Sequence, residues 1–169
     1  MLLYGRPRTR VLLRTIRVRT SEGPEFYDLT DDVLRCVRAS GVRTGMVLVF
    51  ARHTTAAVRI QENEPLLLED LRDLLRALAP RDRKYRHDDF AVRTVNMTPG
   101  ELANGHAHCA HLLLGASECV PLVDGELRLG RWQRIFLVEL DGGREREVVV
   151  QVLGERVGPP PGRRARRRR

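Results

Sequence analysis

A polar stretch directly after an apolar run is the part of this sequence best suited to chemistry. Residues 46–50 read MVLVF and predict a buried strand, and residues 53–63 then read HTTAAVRIQEN. A histidine, two hydroxyls, a carboxylate and two amides thus come together where strand packing needs none of them. Because desolvating these groups costs free energy unless they find partners, we expect residues 53–63 to form one wall of a polar site.

The five histidines all lie in the middle third of the chain, at His53, His87, His106, His108 and His111. Catalytic zinc sites use three protein ligands and leave one position open, and a strand end, a loop and a helix can supply three imidazoles. His108 and His111, one helical turn apart, can share a face, whereas His106 points elsewhere. No HExxH motif is present, so the spacing alone favours solvated or hydrogen-bonded histidines over metal ligands.

Carboxylates and hydroxyls near this stretch extend the candidate site. Glu62 and Asp70 can orient a ligating imidazole or act as a general base; a helix-entry carboxylate and a solvated helix face are their ordinary alternatives. The hydroxyls of Thr54, Thr55 and Ser117, with backbone amides, can hold a phosphate, although turn chemistry also explains them.

A tryptophan and two arginines in the last third of the predicted domain can each be interpreted in two ways. Trp132 is the only tryptophan, and we expect it in the core. Arg144 and Arg146 alternate along a predicted strand. They are expected to be exposed unless they meet an anionic ligand or a neighbouring subunit.

The apolar and polar pattern of the chain predicts the elements that position these groups. It indicates an α+β fold with a compact mixed or antiparallel sheet, two main helices and one short helix. Strands are expected at 11–20, 25–29, 45–52, 119–123, 126–129, 133–140 and 148–153. Helices are expected from Thr30, as the cap, to about Gly41, from Pro65 to Pro80, and over about 105–114. Residues 81–104 are polar and irregular, and a connection of this length is usually functional or disordered.

The net charge of +8 comes largely from six arginines after residue 162, without which 24 basic residues face 22 acidic ones. The chain therefore divides into a basic lead-in (1–10), one domain (11–154) and a Pro/Gly linker with a disordered arginine-rich tail (155–169). Three cysteines without CxxC spacing argue against a disulfide framework and a thiolate zinc site. No signal or membrane-spanning run is evident, so a cytoplasmic protein without membrane contact is expected.

A series of motifs, in order and spacing, resembles the YjbQ family of small proteins, often described as secondary thiamine-phosphate synthases. The resemblance covers roughly residues 12–154. Its motifs read HTTAA (53–57), QEN (61–63), YRHD (85–88), NGHAH (104–108), LGAS (114–117), GELRLGRWQRI (125–135) and DGGRER (141–146). Gln61 replaces a more usual asparagine, and Arg131 stands where a small hydroxyl residue is common.

The resemblance implies a compact α+β subunit in a homotrimer with sites near subunit boundaries. It implies that His53, His87 and His108 bind a divalent metal, zinc in the first instance. Other recurrent positions match a further set of residues: Glu62, Asp70, Asn104, Ser117, Trp132, Gln133, Glu139 and Arg146. The implied reaction joins a hydroxymethylpyrimidine diphosphate to a thiazole phosphate with release of pyrophosphate.

These lines together predict a metal-assisted enzyme that acts on phosphorylated small molecules. In this hypothesis His53, Glu62 and Asp70 are catalytic. Substrate or phosphate is bound by the remaining candidates: Thr54, Asn104, Ser117, Trp132, Gln133 and Arg146.

The alternative is a non-catalytic metal-binding protein, or a polyanion-binding protein whose arginine tail contacts nucleic acid weakly and without sequence preference.

Overall fold

The computed structural model describes residues 8–156, which form eight strands, three α-helices and a 3-10 turn at Arg86–Asp88. The strands are β1 (Arg8–Arg19), β2 (Glu25–Asp28), β3 (Thr44–Ala51), β4 (Ala56–Glu62), β5 (Ser117–Val123), β6 (Glu126–Leu127), β7 (Gln133–Glu139) and β8 (Glu145–Arg156). The helices are α1 (Thr30–Ser40), α2 (Pro65–Leu78) and α3 (Gly105–Leu114). The predicted α+β class and the short third helix are confirmed.

Two antiparallel sheets arrange the strands. The larger has the order β1-β8-β3-β5-β6, and the smaller has the order β2-β7-β4. Most of the polar stretch is itself a strand, because β4 pairs with β7 from Ala56 opposite Glu139 to Glu62 opposite Gln133.

The core has three layers, with the smaller sheet in the middle. One face of that sheet packs on α1 and the inner face of the larger sheet, through residues such as Val58 and Leu137. Its other face packs on α2 and α3 through Ala57, Phe136 and Val138. Because β7 is covered on both faces, residues 135–138 are a continuous apolar run rather than an alternating one.

The outer face of the larger sheet is not covered by any element within residues 8–156, although it is rich in apolar side chains. We call this surface the outer sheet face. Its register sets Val11, Leu153, Met46 and Pro121 in one row and Leu13, Gln151, Leu48 and Cys119 in the next. The exposed large apolar side chains on it are Val11, Leu13, Met46, Phe50 and Val123.

Both ends of the domain extend beyond the boundaries predicted from the sequence. β1 begins at Arg8 and β8 ends at Arg156, and these two residues are paired. The domain predicted from the sequence was 11–154, and backbone pairing of β1 with β8 continues past both of these positions, where the apolar alternation stops. The rest of the predicted lead-in and of the linker and arginine tail lies outside the described residues. No helix within residues 8–156 combines the length and apolar character that crossing a membrane requires.

Candidate functional site

Two histidines from different elements meet beside α3. The ring of His87, in the 3-10 turn, lies 4.5 Å from that of His108 in α3, centroid to centroid, with the ring planes at 65°. The Nε2 atom of His87 is buried and has no hydrogen-bond partner among residues 8–156. An unpaired buried polar atom is costly, so this nitrogen calls for a partner, which a water molecule or a ligand can supply.

Asp88 fixes the histidine pair by joining the 3-10 turn to the start of α3. Its Oδ1 accepts hydrogen bonds from the backbone N–H of Asn104 at 3.0 Å and of Gly105 at 2.9 Å. These are two of the amides that a helix start leaves without internal partners. A Cβ at Gly105 would lie 2.5 Å from the Cβ of Tyr85, so only glycine lets the two segments approach this closely.

The long connection before α3 is held by an ion pair next to the histidines. Arg93 donates to Glu101 Oε1 at 2.6 Å, and both side chains are largely buried. The same carboxylate oxygen lies 3.9 Å from His87 Nε2. The Arg93 hydrogen bond holds the pKa of Glu101 below its ordinary value, so Glu101 presents a negative charge towards His87.

Burial keeps the histidines of α3 in their neutral form. Desolvation, followed by the neighbouring His87, lowers the pKa of His108, and desolvation lowers that of His111. The Nε2 of His111 is also buried without a hydrogen-bond partner in the described part of the chain. Neutral imidazoles keep a nitrogen lone pair for a metal ion or a proton.

His53 lies after β3 and is held by β8. Its Nε2 accepts a hydrogen bond from the backbone N–H of Glu147 at 2.8 Å. Burial, followed by the positive charge of Arg146, lowers the pKa of His53. A neutral ring with Nε2 as acceptor carries its proton on Nδ1, so in this conformation His53 offers an N–H donor.

Arg146 is part of a buried ion pair. It is 2% exposed and Glu139 is 0% exposed; the Nε of Arg146 donates to Glu139 Oε2 at 2.6 Å, and its Nη2 donates to Oε1. Thr55 Oγ1 accepts from the same guanidinium at 3.1 Å, and Thr20 Oγ1 donates to Glu139 at 2.7 Å. The expected exposure of Arg146 is therefore wrong, and this guanidinium does not reach a phosphate in the described conformation.

Asn104 lies between these two regions. Its Nδ2 donates to Asp141 Oδ2 at 3.3 Å, while its Oδ1 is buried and unpaired among residues 8–156. Arg144 holds the same Asp141 oxygen at 2.6 Å. Asn104 therefore has a free acceptor beside the histidine pair.

A second group of predicted site residues lies at the opposite end of the β4–β7 pair. Glu62 is opposite Gln133, six residues along β4 from Ala56, which corresponds to about 20 Å at the usual strand rise. Gln133 accepts from the Gly130 N–H at 2.7 Å. Trp132 is 59% exposed with the Arg131 guanidinium 4.4 Å from its ring centroid, so its expected place in the core is wrong.

The remaining predicted residues are on the surface. Thr54 precedes β4, Ser117 begins β5 and Asp70 lies in α2, and all three are exposed. The structure therefore brings together His87, His108 and Asn104, and leaves the other candidates apart from them.

The predicted three-histidine set does not form within one chain. In the described part of the chain, no three histidine, cysteine, aspartate or glutamate side chains are arranged to hold a metal ion. A metal ion held by the histidine pair would need further ligands from a substrate, a water or another subunit.

Sequence reasoning gave no role to Asp88, Glu101, Arg93 and Asp141. Asp88 acts 16 residues away from the helix start that it caps, so no local capping pattern marks it. Arg93 and Glu101 lie eight residues apart in an irregular segment, where no periodicity indicates which charges will pair.

The family model described as UPF0047 protein YjbQ-like matches residues 14–155. A UPF0047 protein of Methanothermobacter thermautotrophicus is 38% identical over 145 residues, which are 86% of this chain and 94% of that protein. One of Archaeoglobus fulgidus is 40% identical over 138 residues, 82% and 98% of the two chains.

Solved structures agree with this match. A YbjQ-like protein of unknown function from Sulfolobus solfataricus is 36% identical, with a TM-score of 0.79, and the match covers 88% of this chain and 100% of that one. A hypothetical protein from Aeropyrum pernix is 34% identical with a TM-score of 0.73, over 85% and 99% of the two chains. The chain belongs to the UPF0047 family of YjbQ-like proteins.

Proposed function

We propose that the protein is a metal-assisted enzyme acting on phosphorylated small molecules, with a thiamine-phosphate synthase-like reaction as the first activity to test. The observation that carries the proposal is the pair of His87 and His108, with a buried Nε2 that lacks a partner in the described chain. Two adjacent imidazoles fit the nitrogen ligands that zinc and similar ions prefer. A bound divalent ion would supply Lewis-acid stabilisation of phosphoryl oxygens.

The chain's own groups around the pair have separate tasks in this proposal. The Glu101 carboxylate balances positive charge next to His87, and the free Oδ1 of Asn104 accepts a hydrogen bond from substrate. His53 donates its Nδ1–H to a phosphate oxygen; in the other tautomer, with the proton on Nε2 and the hydrogen bond from the Glu147 N–H given up, its Nδ1 would bind the ion. The exposed hydroxyls of Thr54 and Ser117 are available as further phosphate donors.

We further propose that neighbouring subunits complete the site, as in a homotrimer. The distance of about 20 Å between the two ends of the β4–β7 pair prevents Glu62, Trp132 and Gln133 from meeting the histidine pair of their own subunit. The outer sheet face is an apolar surface that another copy can cover, and such surfaces on single chains often mark interfaces.

Metal content tests the ligand set directly. The parent should bind a near-stoichiometric divalent ion after incubation with zinc or manganese, measured by elemental analysis. His87→Gln and His108→Gln should lose it, whereas His106→Gln should retain it because His106 lines a different cavity. Metal that persists in both His87→Gln and His108→Gln would reject the histidine pair as ligands.

Subunit mixing tests whether His53 of another subunit completes the site. When His87→Gln and His53→Gln chains are exchanged in equal amounts, random assembly gives about a quarter of the sites two intact contributions. If all three ligands came from one subunit, no site would recover. Metal bound normally by His53→Gln alone would leave His53 as a hydrogen-bond donor rather than a ligand.

Catalysis is tested by thiamine phosphate formation from the pyrimidine diphosphate and thiazole phosphate, with and without the ion. Hydrolysis of phosphorylated compounds is measured in parallel, because the same groups can activate water. Asn104→Ala should lower turnover in whichever reaction is found. A variant with normal turnover would remove Asn104 from the proposal.

A further inference from the structure

A cavity of about 410 Å³ lies on the other side of α3 from the histidine pair. The C-terminal end of α2, the turn at Gly23 and Pro24, and α3 enclose it. Its volume is within the usual range for small-molecule sites. His106 lines this cavity, whereas His87 and His108 do not, so it is separate from the site proposed above.

The inner wall of the cavity is apolar. Leu75, Ala110 and Leu140 line it, and each is buried. The exception is His106, which is 8% exposed and makes no side-chain hydrogen bond to residues 8–156. Its ring is therefore available to hydrogen-bond with a molecule in the cavity.

The mouth of the cavity carries more positive than negative charge. Arg76 and Arg81 line it together with one carboxylate, that of Glu22; Arg76 also pairs at 2.8 Å with Asp73, an exposed residue outside the lining. Arg81 pairs with Glu22, but both side chains are largely exposed. Exposed ion pairs of this kind contribute little, so an incoming anion can compete for the guanidinium and bind it in a bidentate way.

We propose that this cavity binds a small organic anion with a compact apolar body. The carboxylate or phosphate group binds Arg81 at the mouth, the apolar body packs on Leu75, Ala110 and Leu140, and a polar atom bonds to His106. Anions are favoured over cations because two arginines and one glutamate line the mouth. The anionic group and the apolar body are both needed for binding. The anionic group contacts only the arginines at the mouth, and the apolar body contacts only the inner wall.

The test is titration calorimetry of the full chain with phenyl phosphate, which combines the two parts. Inorganic phosphate and benzyl alcohol, each with one part, are the comparison ligands and should bind far more weakly. Arg81→Gln should weaken phenyl phosphate binding by about tenfold or more, as expected for loss of a charge-assisted hydrogen bond. Arg128→Gln removes the same charge from an exposed position outside the cavity and should leave the affinity unchanged.

Ala110→Leu provides a second variant that fills the cavity and should abolish binding. If Ala110→Leu does not fold by circular dichroism, Arg81→Gln decides the question, because Arg81 is on the surface. Absence of saturable binding up to about 10 mM phenyl phosphate, or equal weakening by Arg81→Gln and Arg128→Gln, would overturn the proposal. Binding that survives Arg81→Gln but disappears in His108→Gln would place the ligand at the histidine pair and also overturn it.

Discussion

The buried pair of Arg146 and Glu139 allows a sharp prediction about stability. Replacing Arg146 by methionine keeps most of the side-chain volume but leaves Glu139 as a buried carboxylate without its counter-ion. Breaking a buried ion pair by removing one partner typically costs about 3–5 kcal/mol. We expect a loss of this size, because Glu139 is 0% exposed and has no route to water.

The double variant Arg146→Met/Glu139→Gln should recover part of that loss. The glutamine is neutral and its oxygen can still accept from the Asp141 N–H, which donates to Glu139 at 2.9 Å. The two substitutions should therefore be less destabilising together than the sum of the single effects, by about 2–3 kcal/mol. Glu139→Gln alone should also be destabilising, because it leaves Arg146 charged and buried.

Equilibrium unfolding in urea, followed by far-UV circular dichroism at one fixed protein concentration, measures these free energies of unfolding. Arg17→Met is the matched control, since Arg17 makes its ion pairs with Glu145 and Glu147 on an exposed strand. The Arg17→Met substitution should lower the free energy of unfolding by only about 0–1 kcal/mol. A loss below about 1 kcal/mol for Arg146→Met, or strictly additive effects in the double variant, would refute the reasoning.

Three further predictions concern other parts of the molecule. Burial lowers the pKa of His106 and of His111 below the ordinary value, so between the folded and unfolded pKa values the unfolded chain binds more protons. The free energy of unfolding should therefore be steady above about pH 6.5 and fall as the pH is lowered towards 5.5; a flat profile in urea titrations would contradict this. Asp88→Ala should lower the free energy of unfolding by about 0.5–2 kcal/mol, as for loss of a helix cap, and should also lower the metal content. Unchanged stability and metal content would show that Asp88 does not position the histidine pair. If copies associate through the outer sheet face as proposed, Leu13→Lys should lower the molecular mass measured by sedimentation or light scattering relative to the parent, and an unchanged mass would contradict a subunit interface on this face.

The local patterns in the sequence predicted the three α-helices and most of the strands, but not β4 (Ala56–Glu62), where polar residues interrupt the alternation. The leucine spacing of α2 follows from the 3.6-residue helical period, and the switch to alternation after Ser117 predicts strands with a period of two. Both patterns involve residues close together in the chain, so they can be recognised without knowing the tertiary structure. Thr30 shows their limit: the expected cap lies inside α1, and its Oγ1 instead accepts from the Ile135 N–H at 2.8 Å.

The candidate site was predictable only in part. The positions of His87 and His108 could be named from motifs, but their contact depends on a turn and a helix that Asp88 joins across 16 residues. The separation of Glu62 from the histidines likewise follows from the register of β4 on β7. The register of β4 on β7 depends on which of their side chains the packed layers bury on each face of the sheet. The residue types in β4 do not indicate this by themselves.

The sequence by itself determined which residues can form helices and strands, and which side chains have chemistry to offer. Tertiary structure decided which of those side chains are available. It turned Arg146 inward to Glu139, exposed Trp132, left His87 Nε2 without a partner among residues 8–156 and placed His106 in a separate cavity. The physical reason is that propensity and periodicity act between near neighbours in the chain. Desolvation and ion pairing depend instead on distances that only the packed layers set.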